Sequence, residues 1–439
     1  MVVLARQRVT RTVSNGWRRL TTSVLADEGH SLVIRFNALL SRFTDLGHRI
    51  GAAWKARRRE ERVFPEIARR VLEETAIERH YTFESLALEL AAADPLPAQN
   101  ILDESFGQPP MTVFQGDGFN VELLFWIDGL VTIHQHGFSG AFSVFEGSSV
   151  HTRYRFTEKK RVNATVLFGD LQLESAELLS RGDVREIIAG RPLIHATFHL
   201  ERPTVTLVVR TERDHEGLPQ YDYRPPSLAF DPFASRALLR KRLQFLRMLH
   251  RSRRESYWAA AASILASGDF LTAYFVLEQG YTLTDAAEKS EAAHDRDRLV
   301  ALARAGHEDD VDALVPVLEA GAARRFLIGR RDAETDAEMR FFLALVLTVP
   351  DRRTLLDLVA KRHPREAPTD FVIRCLGKLG FDADALVLSR ALLAGDAERA
   401  VLKSRIAEVG AGRAFPNDYS LLQAVRTLRA TPGLRALLT

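Results

Sequence analysis

The chain has 439 residues and a net charge of +3, and with 46% hydrophobic and 27% charged residues it predicts two or three globular domains. The single cysteine, Cys375, excludes an intramolecular disulfide and a cysteine-rich zinc site, and it suits a reducing, cytoplasmic location. No run of 18 apolar residues is free of charge, so neither a transmembrane helix nor a membrane partner is expected.

The first predicted region, residues 1–62, is a basic N-terminal extension. It contains 13 Lys and Arg against five Asp and Glu, so the rest of the chain carries a small excess of acid. A basic arm of this kind can contact nucleic acid or an anionic surface. We favour the plainer interpretation of an exposed or poorly ordered extension with no nucleic-acid partner. No apolar segment followed by a small-residue cleavage site is visible, so a secretory signal is not expected.

A helical lead-in follows at residues 63–105. Residues 64–92 are dominated by Ala, Leu and Glu, and Pro65 suits the first turn of a helix. The sequence "ADPLPAQ" then ends the helix. We therefore predict one continuous helix over residues 64–92.

Residues 106–232 have the composition of a β-barrel or β-sandwich. Short runs rich in Phe, Val, Ile and Thr alternate with glycine-containing turns, which is typical of closely spaced strands. The stretch "GLPQYDYRPPSLAFDPF" ends this region, and its four prolines predict irregular structure there.

Residues 233–439 are predicted to be α-helical. Helix–turn–helix units of about 35–45 residues follow one another without a strict repeat, which favours an irregular α-solenoid or bundle. Such arrays supply an interaction surface for a protein partner or cover another domain. No catalytic constellation is visible in this region.

Two histidine-containing segments stand out in the β region. His134 and His136 lie in "IHQHGFSGAFSVFEG", and because alternate side chains of a strand share a face they project the same way. They form half of a metal site, since imidazole binds Fe, Zn, Cu and Ni. His195 and His199 in "GRPLIHATFHL" also share a face and are candidates for the third ligand.

These two segments together resemble the cupin superfamily. The first cupin motif has a glycine, His-x-His, a glutamate and a closing glycine, and here Gly129 precedes the pair and Gly147 closes the motif. The second has a Gly/Pro turn, then a histidine, then an asparagine four residues later. "GRPLIHATFH" matches it with His195 as the ligand and with His199 in place of asparagine. The resemblance covers residues 110–215 and implies a double-stranded β-helix barrel. The metal ligands that it implies are His134, His136 and His195.

One departure from the cupin pattern narrows the resemblance. The glutamate position falls at Gly140 or Ala141, so the usual fourth ligand is missing. Three-histidine cupins without this glutamate include the thiol dioxygenases, such as cysteine dioxygenase, which bind Fe(II) and add O₂ to sulfur. The resemblance therefore implies a non-heme Fe(II) dioxygenase acting on a small molecule or a peptide, with Zn, Ni or Mn as other metals.

The supporting residues of the thiol dioxygenases are not matched. Their Ser-x-His-x-Tyr triad falls on Thr206, Val208 and Arg210, and their carboxylate-binding arginine falls on Pro109. The substrate and the catalytic residues are therefore left open. Other residues are predicted to serve the site instead: three arginines at alternating strand positions to anchor an acidic group, Ser139 to hydrogen-bond a substrate and His199 to orient a ligand. The three arginines are Arg153, Arg155 and Arg210.

The sequence thus predicts an α+β multidomain protein: a central cupin barrel between an N-terminal helical region and a C-terminal, solenoid-like helical domain. Two other functions stay open. One is a non-catalytic cupin that binds a metal or small ligand and uses its helices as a protein-interaction scaffold. The other is an isomerase or hydrolase using Zn or Ni. His151 is interpreted as a pocket or surface residue, and Trp126 and Phe142 as core.

Overall fold

The computed structural model describes residues 29–93, 95–99, 107–127, 132–212, 219–234, 237–284 and 289–411. The predictions for residues 1–28, for Gly129 and for residues 412–439 lie outside the described residues. Within the described ranges, no helix is both long enough and apolar enough to cross a membrane.

Within the described residues, three α-helices precede the β region: α1 (Gly29–Ala56), α2 (Phe64–Thr75) and α3 (Phe83–Ala92). The prediction of one helix over residues 64–92 is wrong. Ala76 takes a left-handed conformation at φ 40°, which ends α2. Thr82 then starts α3 with a capping box, in which the side chains of Thr82 and Ser85 each accept a hydrogen bond from the other's backbone N–H.

Five antiparallel strands form an open sheet. They are β1 (Pro110–Gln115), β2 (Phe119–Trp126), β4 (Gly140–Glu146), β7 (Val184–Ile187) and β9 (Thr204–Thr211), in the spatial order β1-β2-β9-β4-β7.

Six further strands close into a barrel in the order β10-β11-β6-β5-β8-β3, with β3 pairing back to β10. They are β3 (Ile133–Gln135), β5 (Ser148–Asn163), β6 (Val166–Ser180), β8 (Ile194–His199), β10 (Asp222–Arg224) and β11 (Leu228–Phe230). The prediction that prolines exclude regular structure around β10 and β11 is wrong. Pro225 and Pro226 lie in the turn between the two strands, where no ladder hydrogen bond is lost.

The N-terminal helices pack on the outer face of the open sheet. Phe43, Leu46 and Trp54 of α1 are buried in one cluster with α2 and with sheet residues such as Val121 and Leu207. The second half of α1 is therefore part of the core. This corrects the expectation that residues up to 62 form an exposed extension, since apolar residues at helical spacing bury against the sheet.

The C-terminal region is helical throughout its described part. Its helices are α4 (Ala237–Ser252), α5 (Arg254–Ser267), α6 (Phe270–Thr284), α7 (Lys289–Asp312), α8 (Val315–Asp332), α9 (Ala337–Thr348), α10 (Arg352–Arg362), α11 (Pro368–Lys378), α12 (Ala383–Leu393) and α13 (Asp396–Gly410). The mixed helical and barrel architecture agrees with the predicted α+β class. The solenoid-like arrangement and the four domain boundaries stay predictions.

Two arginines, the buried Arg331 and the half-buried Arg362, join these helices to the barrel. Arg331 of α8 lies 4.2 Å over the ring of Phe198 and donates a hydrogen bond to the backbone carbonyl of His199. Arg362 of α10 donates to Ser148 Oγ and to the carboxylate of Glu201, both at 3.0 Å. Because Phe198 and His199 belong to β8, the helical region directly contacts the strand that carries His195.

Candidate metal centre

The barrel brings His134, His136 and His195 together. His134 lies on β3 directly opposite His195 on β8, and His136 follows β3 immediately. One ring nitrogen from each residue lies within 4.8 Å of the other two, and Nε2 of His136 is 2.8 Å from Nε2 of His195. All three side chains are buried. Two segments about sixty residues apart in sequence therefore form one cluster.

The spacing of these nitrogens fits a metal ion. Imidazole–metal bonds of about 2.0–2.1 Å place neighbouring ligand nitrogens about 3 Å apart when they subtend a right angle at the metal. The separation of 2.8 Å between His136 and His195 is close to that value. The three-histidine cluster therefore suggests a metal site.

Burial also gives the three rings the protonation state that a metal requires. Desolvation lowers the pKa of His134, His136 and His195 below the ordinary value of 6.5, and the neighbouring histidines lower those of His136 and His195 further. The rings are therefore neutral at pH 7. Neutral imidazoles keep a lone pair for coordination.

Hydrogen bonding orients His134 within the cluster. Its Nδ1 lies 2.8 Å from the backbone carbonyl oxygen of Thr132, which can only accept a proton. Nδ1 therefore carries the hydrogen, and the lone pair of the neutral ring is on Nε2. Contacts of this type fix the tautomer and the orientation of metal-binding histidines.

His151 contacts the cluster from the neighbouring strand β5. Its Nε2 lies 3.0 Å from Nδ1 of His195, and its Nδ1 lies 2.8 Å from the carboxylate of Glu177. The sequence interpretation of His151 is a pocket or surface residue; its almost complete burial excludes the surface position, and its contact with His195 is not predicted. The only signal in the sequence is a histidine on the strand that follows the first motif, and its value depends on a pairing register that the sequence does not reveal.

A small apolar cavity adjoins the three histidines. Its volume is about 40 Å³, which is room for two or three water molecules. None of the described residues that line it is charged at pH 7, and its other polar groups are two threonines and the Trp126 indole, which donates to Thr206 Oγ1 at 3.0 Å. The lining residues are Leu124, Trp126, His134, His136, Phe138, Phe142, Ile187, His195, Thr197, Thr206 and Val208.

No carboxylate occupies the fourth-ligand position in the described structure. At Gly140 a Cβ atom would lie 1.9 Å from the carbonyl oxygen of Val209, so no side chain fits there. Ala141 is buried in the cluster between the sheet and the N-terminal helices. Phe142 is the side chain of β4 that reaches the cavity, with its ring 5.9 Å from that of His195.

The predicted substrate-binding residues do not line this cavity. Arg153 and Arg155 are exposed, and Arg155 pairs with Glu174. Arg210 forms a bidentate pair with Glu122 and lies 5.2 Å over the ring of Phe138, one layer behind the cavity. The remaining candidate is also outside the lining: Ser139 is buried, and its backbone exchanges hydrogen bonds with Thr211. A neutral cavity wall is the result.

His199 lies beyond the cluster on the same face of β8. Its ring stacks on Trp126 at 4.6 Å, and its Nδ1 lies 2.9 Å from Ser149 Oγ. The structure shows no contact between His199 and the three clustered histidines. Burial lowers the pKa of His199 to about 3, with a contribution from Arg331.

This pKa predicts how stability depends on pH. In the unfolded chain His199 binds a proton below about pH 6.5, whereas in the folded protein it stays neutral down to about pH 3. The contribution of His199 to the free energy of unfolding is therefore complete above about pH 6.5 and is lost progressively as the pH falls toward 3. We expect His199→Gln to reduce this decline by up to about 1.4 kcal/mol per pH unit. Urea unfolding of both proteins between roughly pH 7 and pH 5 measures the difference. Parallel curves would show that His199 does not titrate as its burial requires.

The chain was compared with known proteins. No family model matches it, and no curated protein matches it. Among solved structures, the DMSP lyase DddQ from Ruegeria pomeroyi DSS-3 matches 24% of this chain and 43% of its own, with 18% identity and a TM-score of 0.16. A chain from the structures of the DMSP lyases RdDddP and RnDddQII matches 42% of this chain and 95% of its own, with 17% identity and a TM-score of 0.23. Superpositions this poor support no conclusion about this chain.

Proposed function

We propose that the protein is a metal-dependent cupin oxidoreductase, most similar in its chemistry to the non-heme Fe(II) thiol dioxygenases. The observation that carries the proposal is the three-histidine cluster at a small apolar cavity, with no carboxylate in the cluster or in the cavity lining among the described residues. Two histidines and a carboxylate are the usual ligands of non-heme iron oxygenases. Replacement of the carboxylate by a third neutral imidazole leaves the full charge of a divalent metal uncompensated.

Fe(II) held by His134, His136 and His195 would supply open coordination positions for an anionic substrate atom and O₂. The chain's own residues contribute the surroundings. Phe138, Phe142 and other apolar side chains limit water at the cluster. Exclusion of water strengthens every electrostatic interaction in the cavity.

The cavity wall also restricts the substrate. An anionic group other than the one on the metal would find no cation among the described lining residues, and burying an unpaired charge is costly. Thr197 and Thr206 offer hydroxyl groups to a neutral polar substituent. We therefore expect a small thiol whose remaining part is uncharged, in contrast to cysteine with its carboxylate and ammonium groups.

The test is metal analysis followed by O₂ uptake. After anaerobic loading with Fe(II), the protein should bind about one equivalent and consume O₂ with a neutral thiol such as 2-mercaptoethanol. Uptake with cysteine or 3-mercaptopropionate should be at least about tenfold slower, because a second charge would stay unpaired in the cavity. Equal or faster uptake with the charged thiols would contradict the neutral-cavity argument.

Other outcomes of the same experiment separate the alternatives. A protein that binds no metal would overturn the proposal. Bound metal without O₂ uptake would favour a non-catalytic metal-binding cupin, in which the helical region acts as a scaffold for a protein partner. Such a partner on the C-terminal helices and a cytoplasmic location are parts of the proposal. The buried, reduced Cys375 is compatible with that location.

A further inference from the structure

A continuous chain of polar side chains leads from β7 of the open sheet to His195 on β8 of the barrel. Arg185 of β7 donates two hydrogen bonds to the carboxylate of Glu177 on β6, from Nε to Oε1 at 2.9 Å and from Nη2 to Oε2 at 2.5 Å. Glu177 contacts His151 Nδ1 at 2.8 Å, and His151 Nε2 contacts His195 Nδ1 at 3.0 Å. We propose that Glu177 and His151 are positioning residues that hold His195 in its metal-binding tautomer. The proposal rests on the three-histidine site of the proposed function.

Strand pairing places these groups in line. His151 lies directly opposite Glu177 in the β5–β6 pair and opposite Thr197 in the β5–β8 pair. His195 is two residues before Thr197 on the same face of β8, which makes it the diagonal neighbour of His151. Three adjacent strands therefore fix the order carboxylate, imidazole, imidazole.

The hydrogen bonds have one consistent direction. Glu177 accepts from Arg185 and its carboxyl pKa is lowered to about 2, so it is ionised and can only accept. In the neutral ring of His151 the hydrogen is then on Nδ1, which leaves Nε2 as an acceptor. That acceptor requires the hydrogen of His195 to be on Nδ1. The lone pair of His195 is therefore on Nε2, the atom 2.8 Å from His136.

Packing against Phe142 holds the rings of His151 and His195 in a fixed relative orientation. Phe142 contacts both of them, with ring centroids 5.7 Å from His151 and 5.9 Å from His195. The rings of His151 and His195 are 5.2 Å apart and nearly perpendicular at 81°. A carboxylate behind a metal-binding imidazole raises its basicity and fixes its tautomer. Here the carboxylate acts through a second imidazole.

The tautomers can be tested without a metal. Nuclear magnetic resonance of metal-free protein with ¹⁵N-labelled histidine distinguishes the protonated ring nitrogen of each residue. We expect hydrogen on Nδ1 alone in both His151 and His195. His134 serves as an internal reference, because the Thr132 carbonyl holds it independently. Hydrogen on Nε2 of His195 would overturn the proposed chain of hydrogen bonds from Glu177 through His151 to His195, here called the relay, whether or not the protein binds metal.

Metal affinity measures the consequence of the relay. His151→Phe keeps an aromatic ring but removes the acceptor, so we expect about tenfold to hundredfold weaker binding of Co(II) or Zn(II) in a competition titration. His151→Gln retains an acceptor oxygen and should recover most of the affinity. The matched control is Ser149→Ala, which removes a hydrogen bond to the buried His199 on the same pair of strands and should leave affinity unchanged.

The outcomes distinguish this proposal from the proposed function. Equal affinities of wild type and His151→Phe would overturn the relay while leaving the metal site intact. A wild type that binds no metal would overturn the function, and the tautomers would still decide the relay. Should His151→Phe fail to fold, Glu177→Ala replaces it, because Glu177 is one-third exposed. That variant should weaken metal binding in the same direction, and unchanged affinity would count against the relay.

Discussion

His195→Gln is expected to lower the metal affinity of the protein by more than about a hundredfold, beyond the range typical for residues that only support a ligand. His195 is the member of the cluster that contacts both His136, at 2.8 Å, and the supporting His151, at 3.0 Å. Its replacement leaves two ligands on one short segment around β3. Equilibrium dialysis followed by elemental analysis measures the loss, and thiol-dependent O₂ uptake should disappear with it.

His199→Gln is the matched control for this substitution. Both histidines are buried on the same face of β8, and the chemical change is identical. His199 stacks on Trp126 and contacts Ser149 rather than the clustered rings. The control should keep about one equivalent of metal. Loss of metal from both variants would mean that β8 has become disordered. Loss of metal from the His199 variant alone would mean that His199, and not His195, binds the metal.

The sequence predicts that His134 and His136 share a face because strand periodicity is a local property. Alternation places His134 and His136 on one face without knowledge of any partner strand. The segment of His195 was identified by its resemblance to a cupin motif. The direct pairing of His134 with His195 is a long-range property that the sequence does not predict; the resemblance implied only that the two segments meet at one site.

Features that depend on tertiary pairing were not accessible in this way. The role of His151 follows from the register that places it opposite Glu177. Arg153 and Arg155 occupy alternating positions on the same strand, yet both are exposed, whereas Phe156 beyond them is buried in the barrel core. The alternation itself is correct, but which face of the strand meets the core depends on tertiary pairing, including a register shift between Arg153 and Tyr154, and cannot be derived from local sequence.

The burial of α1 was missed for a related reason. A high local content of arginine suggested an exposed arm, whereas Phe43, Leu46 and Trp54 form a continuous apolar stripe on one face. Charge counted over a window does not separate the two faces of a helix. The stripe determines the packing, and the arginines remain on the other side.

The second large effect is expected from Gly140→Ala, which should destabilise the protein by about 3 kcal/mol or more, or prevent folding. A Cβ atom at this position would lie 1.9 Å from the carbonyl oxygen of Val209 and 2.9 Å from the Cα of Arg210. These contacts are with backbone atoms of β9, so no side chain can rotate away. Relief would require separation of β4 from β9, which are paired over most of their length. Urea unfolding monitored by circular dichroism measures the change.

Gly329→Ala provides the comparison, because Gly329 lies on the exposed side of α8 and a Cβ atom there would meet nothing within 4 Å. Alanine in a helix interior is favoured over glycine, so that variant should be unchanged or more stable by up to about 1 kcal/mol. If Gly140→Ala were equally stable, β4 and β9 would be able to separate, and a carboxylate could then be introduced at this position. If it is unstable, the pairing of β4 with β9 itself excludes the fourth ligand. The three-histidine set is then a property of the backbone, and a glutamate at position 140 could not restore a carboxylate to the site.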